Sequence, residues 1–302
     1  MSTLTPVPRT TAAADPALGG DKHYVARGRI ARLVTHLCVI VGVLLSIFPF
    51  YWLVVMSTST TAEIFGYPPK LTFGNSFVEN IRNVVQSVDL MQSLLNTIIV
   101  STACAVLVMF FDSLAAFAFA KFDFPGKRPL FILLIATMLV PGSLSLVPSF
   151  ILMSTLGWVG TLQALIVPGA ANAFGIFLLR QMAAGSIPDD LLDAARIDGA
   201  GFFTTYWRVG VPLLRGGLAF LGIFTFITAW NDYIWPLIIT SEASRMTLPV
   251  GLTALNNSEG NTGAGWGILM AGTVLVIAPV LLVFAMLQRH IVSGLTQGSV
   301  TG

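Results

Sequence analysis

Ser186–Pro212 reads SIPDDLLDAARIDGAGFFTTYWRVGVP and is the longest charged interruption in an otherwise apolar sequence. Only 10% of the 302 residues are charged and 55% are hydrophobic, whereas soluble domains carry about 25% charged residues. A chain this poor in charge cannot cover a water-facing surface, so most of it is expected to lie in lipid. We interpret this charged segment (Ser186–Pro212) as a docking surface outside the lipid.

Apolar runs on both sides of the charged segment are long enough to be membrane helices, which need about 20 residues to cross the hydrocarbon core. The runs are continuous and do not alternate in polarity, which favours helices over strands. The sequence therefore predicts an all-α membrane protein with six transmembrane helices. The six runs are Leu33–Met56, Ser93–Ala120, Leu130–Met153, Leu162–Leu179, Leu213–Ile239 and Ile268–Leu287.

The remaining segments are polar or mixed. Residues 1–29 are interpreted as a flexible cytoplasmic tail, and residues 30–302 as one membrane domain. Ser76 with Glu79 three positions later, followed by apolar residues at helical spacing, predicts a short helix between the first two spans. Pro49 is expected to kink the first span.

Positive charge is distributed unevenly among the loops. With six spans, 13 of the 16 Lys and Arg residues fall on the side that holds both termini and the charged segment. Cytoplasmic loops of membrane proteins carry such an excess. The sequence therefore predicts that both termini and the charged segment are cytoplasmic.

The charged segment itself contains a predicted helix of roughly eleven residues. Ser186 is expected to be its N-cap, with Asp189 three positions on completing a capping box. Pro188 is acceptable in the first turn, and acidic residues favour the positive end of the helix dipole. Gly199 is expected to end the helix as a C′ glycine.

The same residues resemble a family motif. The pattern Asp193-Ala194-Ala195, three residues, Gly199, nine residues and then Val209-Gly210-Val211-Pro212 is similar to the EAA motif of ABC-importer permease subunits, with Asp193 where the family has Glu. Further resemblance to the shorter, six-span permease of maltose-type carbohydrate importers runs over residues 33–302. It is carried by FDFPGKR (122–128), LVPGSLSLVPSF (139–150), FGIFLLRQ (174–181), AWNDYIWPL (229–237) and GLTQGSVTG (294–302).

This resemblance implies a permease subunit of an ATP-driven importer in a prokaryotic cell (inner or plasma) membrane. A second permease, two ATP-binding subunits and an extracytoplasmic solute-binding protein for a sugar or oligosaccharide would be its partners, besides membrane lipid. The charged segment would be the coupling helix that docks on the ATPase, through Asp189, Asp193, Ala194, Ala195, Arg196, Gly199 and Pro212. The C-terminal Gly298, Ser299, Val300, Thr301 and Gly302 would form a second ATPase contact, with Thr301 where the family has Lys.

Charged residues inside the spans are costly and usually face the bundle interior. Asp232 lies in a cluster with Trp230, Asn231 and Trp235, whose amide, carboxylate and aromatic groups suit a sugar. These four residues are candidates for the substrate pathway, although an interfacial aromatic belt would give the same pattern. Asp112 is expected to make an interhelical bond or to lie near the cytoplasmic interface.

Other chemistries find little support in the sequence. It has no G-x-x-x-x-G-K-[ST] phosphate loop and no zinc-like spacing among its two Cys and three His residues, and its net charge of +2 does not suggest nucleic-acid binding. We therefore expect no enzyme activity, no metal and no bound cofactor, with ATP and Mg²⁺ held by the partner ATPase. The alternatives left open are a secondary transporter driven by an ion gradient, a membrane enzyme, and an ABC importer for another solute such as a phosphorylated polyol.

Overall fold

The computed structural model describes residues 21–87, 89–258 and 265–296, and each regular element in these ranges is helical. The α-helices are α1 (Asp21–Ser57), α2 (Thr61–Ile64), α3 (Phe77–Ser87), α4 (Leu90–Lys121), α5 (Lys127–Thr137), α6 (Leu146–Thr155), α7 (Leu162–Ile166), α8 (Ala173–Ser186), α9 (Asp189–Ile197), α10 (Phe202–Thr205), α11 (Val211–Leu213), α12 (Arg215–Trp230), α13 (Ile234–Ile239), α14 (Leu248–Ser258) and α15 (Trp266–Thr296). Three 3₁₀ turns (Gly142–Ser145, Val167–Gly169 and Ala243–Arg245) and a π-helical turn (Tyr206–Gly210) connect some of them.

The chain divides into two compact units, Met1–Trp52 and Leu53–Gly302. In the first unit, α1 runs through Pro49, and its large apolar side chains between Leu33 and Tyr51 are exposed. A helix that is apolar and exposed in this way is stable only against lipid or another apolar surface.

The second unit is built around α4, which packs against α8 and α12. The buried side of α4 is made of small and weakly polar residues such as Ser101, Cys104, Ala105 and Ala116. Small residues let helix backbones approach closely in a membrane, where packing has to replace the hydrophobic effect. Helix α15 then packs on α12 and α3, with α14 beside it.

Three described helices are long and apolar enough to cross a membrane: Ala31–Ser57, Leu90–Lys121 and Trp266–Ala285. Three bent helix pairs raise the number to six if each pair is one span. Lys127–Thr137 with Gly142–Thr155 is bent by 95°, Leu162–Gly169 with Ala173–Ser186 by 41°, and Phe202–Leu213 with Arg215–Trp230 by 80°.

The predicted fifth run, Leu213–Ile239, is not one helix in the structure. The chain turns sharply at Leu214, just before α12 begins, and α12 ends at Trp230. Asn231, Asp232 and Tyr233 then separate α12 from α13. Apolar composition alone cannot reveal such breaks, because the residues on both sides of each break are equally apolar.

The predicted short helix between the first spans is confirmed as α3. The Asn80 side-chain amide donates to the backbone oxygens of Ser57 (2.9 Å) and Ser59 (3.1 Å), and so holds the turn that leads into α2. The Thr58 hydroxyl accepts a bond from the Gly74 backbone N–H at 2.7 Å. These bonds satisfy backbone groups that would otherwise be buried without partners.

The predicted start of the helix in the charged segment is wrong. Ser186 belongs to the end of α8, because the Ile187 N–H continues the ladder by bonding Ala183 O at 3.3 Å. Ile187 is then extended (φ −110°, ψ 105°), as expected for a residue that precedes proline. Pro188 is the N-cap, and α9 is nine residues long, Asp189–Ile197.

Candidate functional site

Helix α9 lies against the bundle along one edge and exposes the rest of its surface. Leu192 is buried, with 3% of its surface exposed, and Ala195 is half-buried. Asp193 and Ala194 are exposed, and Ile197 reaches 86% exposure. The exposed part of α9 therefore combines a large apolar side chain, Ile197, with the small Ala194.

Helix α9 ends at a C′ glycine, Gly199, as the sequence predicted. Gly199 has a φ of +78°, a conformation that side chains disfavour. Its N–H bonds Arg196 O at 3.0 Å, and the Ala200 N–H bonds Ala195 O at 2.9 Å. These two bonds form a Schellman motif, which ends the helix and turns the chain sharply towards the aromatic residues that follow.

Two acidic side chains of α9 have partners within this chain. Lys121 Nζ donates to Asp189 Oδ1 at 2.8 Å, and Arg196 Nη1 donates to Asp193 Oδ1 at 3.0 Å. The hydrogen bond from Lys121 and its positive charge hold the pKa of Asp189 below its ordinary value. Because folding lowers this pKa, the pair contributes to the stability of the folded state at neutral pH. That contribution is lost only as the pH falls through the lowered pKa.

An aromatic cluster packs against the buried side of α9. Phe117 of α4 is fully buried between Phe202 and Tyr206, with ring centroids 5.8 Å from each. The Tyr206 hydroxyl is 2.7 Å from the Ser113 hydroxyl. Gly210 lies so close to the Phe117 ring that an added Cβ would be 3.1 Å from it. The charged segment is therefore packed tightly on the end of α4.

Pro212 lies within α11, just before the chain turns by 80° into α12. Its ring is exposed. The structure thus brings six of the predicted coupling residues onto one helix and its C-terminal turn, with Pro212 at the far end of the segment. Gly298–Gly302, the predicted second contact, lies outside the described residues.

A cavity of about 1080 Å³ lies beside α4, α12 and α13. Its wall includes Asn231, Asp232 and Trp235, three of the four residues predicted for the substrate pathway. Trp230 is not in the wall: it is 2% exposed, packs in an apolar cluster, and donates its Nε1–H to Val276 O at 3.3 Å. Trp230 is separated from the other three residues because α12 ends at Trp230. The Trp230 side chain and those of the residues that follow therefore point to different sides.

The polar groups of the cavity wall come from several helices. The Asp232 carboxylate interacts with the backbone N–H groups at the start of α13, and Trp235 is fixed by a 2.9 Å bond from its Nε1 to Ala164 O. The polar residues that sequence reasoning missed are Ser145, Ser149, Asn172, Thr225, Thr228 and Tyr233. The sequence did contain a signal for some of these residues. Thr225, Thr228 and Asp232 recur at helical spacing, as do Ser145 and Ser149, which is typical of polar residues on one side of a helix. Among the described residues that line this cavity there is no lysine, arginine or histidine.

Asp112 joins α4 to the start of α8. Its Oδ1 accepts a 3.0 Å bond from the Asn172 N–H, while the Asn172 side chain caps α8 by accepting from the Gly175 N–H at 2.8 Å. Asp112 is fully buried, and an added Cβ on Gly175 would overlap its Oδ2 atom. The expected interhelical bond is therefore confirmed, and Asp112 does not belong to the cavity wall.

Comparisons with known proteins agree with this architecture. Residues 112–297 match the family model of the binding-protein-dependent transport system inner membrane component. A crystal structure of a bacterial ABC transporter that imports the acidic polysaccharide alginate has a chain with a TM-score of 0.75 and 24% identity, covering 86% of this chain and 96% of that one. At this identity the likeness shows the fold alone.

Three relatives are more similar in sequence. The arabinooligosaccharides transport system permease protein AraQ of Halalkalibacterium halodurans is 35% identical over 68% of this chain and 73% of its own. The sn-glycerol-3-phosphate transport system permease protein UgpE of Brucella abortus is 32% identical over 89% and 97%. The lactose transport system permease protein LacG of Rhizobium radiobacter is 32% identical over 89% and 96%. The chain belongs to the family of binding-protein-dependent transport system inner membrane components.

Proposed function

We propose that this chain is a permease subunit of an ATP-driven ABC importer for an uncharged sugar or oligosaccharide. The observation that carries the proposal is α9: an exposed helix with the sequence Asp193-Ala194-Ala195, closed by Gly199, in a chain of this transport family. Two of the relatives, AraQ and LacG, are named for arabinooligosaccharides and lactose. The chain itself catalyses no reaction and holds no cofactor.

The energy comes from separate subunits. With no phosphate loop in its sequence, this chain depends on two ATP-binding subunits, each permease of the pair offering one coupling helix. The exposed side of α9, with Ala194 and Ile197, is the docking face, and small side chains there permit close approach. Gly298–Gly302 is proposed as a second ATPase contact. A second permease completes the pathway, and an extracytoplasmic solute-binding protein delivers the sugar.

The proposed topology has six spans, with both termini and α9 in the cytoplasm. Three long apolar helices and three bent pairs support six crossings. The excess of Lys and Arg on one side of those crossings supports the orientation.

The cavity favours an uncharged cargo over a phosphorylated polyol. Amide, hydroxyl and carboxylate groups of Asn231, Thr228 and Asp232 can hydrogen-bond sugar hydroxyls, and the Trp235 ring offers an apolar face. An anion would need a cationic partner in so apolar a site, since unpaired buried charge is costly. Asp232, the acidic residue in the wall, would instead repel it.

The test is uptake by proteoliposomes that contain the complete transporter, with ATP inside and the cognate binding protein outside. We expect labelled arabinose oligomers or lactose to accumulate only when ATP is enclosed, and excess glycerol-3-phosphate not to compete. Dissipating ion gradients with ionophores serves as the control. Uptake that persists without ATP but stops with ionophores would assign the chain to secondary transport, and competition by glycerol-3-phosphate would overturn the uncharged cargo.

A further inference from the structure

Three side chains at one end of α4 contact the charged segment. Lys121 bonds Asp189 at the start of α9, Phe117 packs against the residues that follow Gly199, and Ser113 contacts the Tyr206 hydroxyl. They are spaced four residues apart, so they form one stripe along the helix. We name Ser113, Phe117 and Lys121 the α4 stripe.

The Lys121–Asp189 pair lies where two helix ends meet. Lys121 is in the last turn of α4, where the helix dipole is negative, and Asp189 is in the first turn of α9, where it is positive. The Lys121 side chain is only 7% exposed, whereas that of Asp189 is 81% exposed. A nearly buried ammonium is costly without its partner, so an acidic residue is needed at position 189, where the exposed Asp189 carboxylate still reaches Lys121 Nζ.

The same helix also lines the cavity near its middle. Val100 and Cys104 of α4 belong to the cavity wall. The 17 residue-to-residue steps from Cys104 to Lys121 correspond to about 25 Å of helix. A continuous helix of this length is a rigid connection between the two regions, and Asp112 adds the attachment to α8.

We propose that α4 is the element that links movement of α9 to the shape of the cavity, and that Lys121 is a positioning residue that fixes α9 to α4. This inference rests on the proposed docking of α9 on an ATPase. It also means that Asp189 binds Lys121 of the same chain and not the ATPase. The acidic start of α9 is then held by Lys121, and the open surface around Ala194 and Ile197 is left for the ATPase.

The experiment measures sugar transported per ATP hydrolysed by the complete transporter in proteoliposomes. We compare Lys121→Met, Asp189→Asn and the double variant, since methionine keeps the length of the buried stem and asparagine keeps the shape of the carboxylate. Each single change is expected to lower the ratio about five-fold or more, the lower end of typical coupling between distant sites. The double variant is expected to be no worse than the poorer single variant, because both changes remove one interaction.

Lys127→Met is the matched control. Lys127 also pairs with an aspartate near the same end of α4, Asp123 at 3.0 Å, but on the surface, and the variant should keep the wild-type ratio. Tyr206→Phe removes only the hydroxyl at the Ser113 contact and is expected to lower the ratio as well. It tests the α4 stripe independently if Lys121→Met fails to assemble, which recovery of the ATP-binding subunits with the permease will reveal.

Two results would overturn the inference. One is an equal further loss from Asp189→Asn in the wild-type and Lys121→Met backgrounds, which would mean that Asp189 acts on the ATPase directly. The other is a wild-type ratio in every variant. Neither result affects the proposed function, which fails only if the wild-type transporter shows no ATP-dependent sugar uptake.

Discussion

Individual residues of the charged segment have separable roles that their shared polarity hides. Asp189 and Asp193 are both acidic and exposed, but the first pairs with Lys121, 68 residues earlier in the chain, and the second with Arg196, three residues later on the same helix. Gly199 contributes only its backbone conformation. The substitution to make at each position therefore differs, although the family motif treats these positions as one unit.

At the residue scale, we expect Gly199→Val to lower ATP-driven uptake and Gly199→Asn to retain most of it. The two side chains have similar size, but asparagine tolerates positive φ, whereas a β-branched residue in that conformation is a strained outlier. The left-handed conformation costs roughly 1–2 kcal/mol for an ordinary L-residue. Immunoblots of membranes must show equal amounts of both variants. Equal uptake by both would contradict a requirement for the left-handed turn.

Elements of this chain were predictable to different degrees. Apolar run length predicted helices at α4 and α15, because a stretch that long can satisfy its backbone in lipid only as a helix. The bends were not predictable in angle: proline and glycine, here Pro141 and Gly142, commonly interrupt helices, but they do not determine the 95° between the two half-helices. Ser186 misled the prediction of α9 because proline two residues later overrides its capping preference.

At the element scale, α9 depends on a single buried anchor. Leu192→Ala is expected to free α9 from the aromatic cluster, at a cost of about 2–5 kcal/mol for a buried leucine. Hydrogen exchange by mass spectrometry should then show faster exchange of α9 amides. Leu191→Ala is the control: Leu191 is 45% exposed, and its truncation should change exchange little. Similar exchange in both variants would mean that the helix is held by its polar contacts instead.

The second unit, Leu53–Gly302, combines close helix packing with a cavity and an exposed charged segment. Helices α4, α8 and α12 meet through glycines and small residues, while the charged segment and the cavity present polar groups. Sequence reasoning grouped Trp230, Asn231, Asp232 and Trp235 because they are neighbours in the chain. It could not separate Trp230 from the others, since the end of α12 decides which side each residue faces.

At the scale of the whole fold, two glycines of α8 are expected to respond in opposite ways to the same change. Gly175→Ala would force its Cβ against Asp112 and to within 3.0 Å of Leu221, so thermal stability in detergent should fall, by about 1–3 kcal/mol as for other overpacked sites. Gly185→Ala meets nothing within 4 Å and should stabilise the helix by up to about 1 kcal/mol. An unchanged melting temperature for Gly175→Ala would show that the three helices can move apart.

The contact between Asp112 and Gly175 also restricts how this chain can diverge. Neither position can change freely, because the carboxylate occupies the space that a side chain at 175 would need, and its removal would leave a gap between α4 and α8. Natural variants with alanine or serine at 175 should therefore carry a smaller residue at 112. Asn172, which touches both positions, would be the third member of this coevolving set.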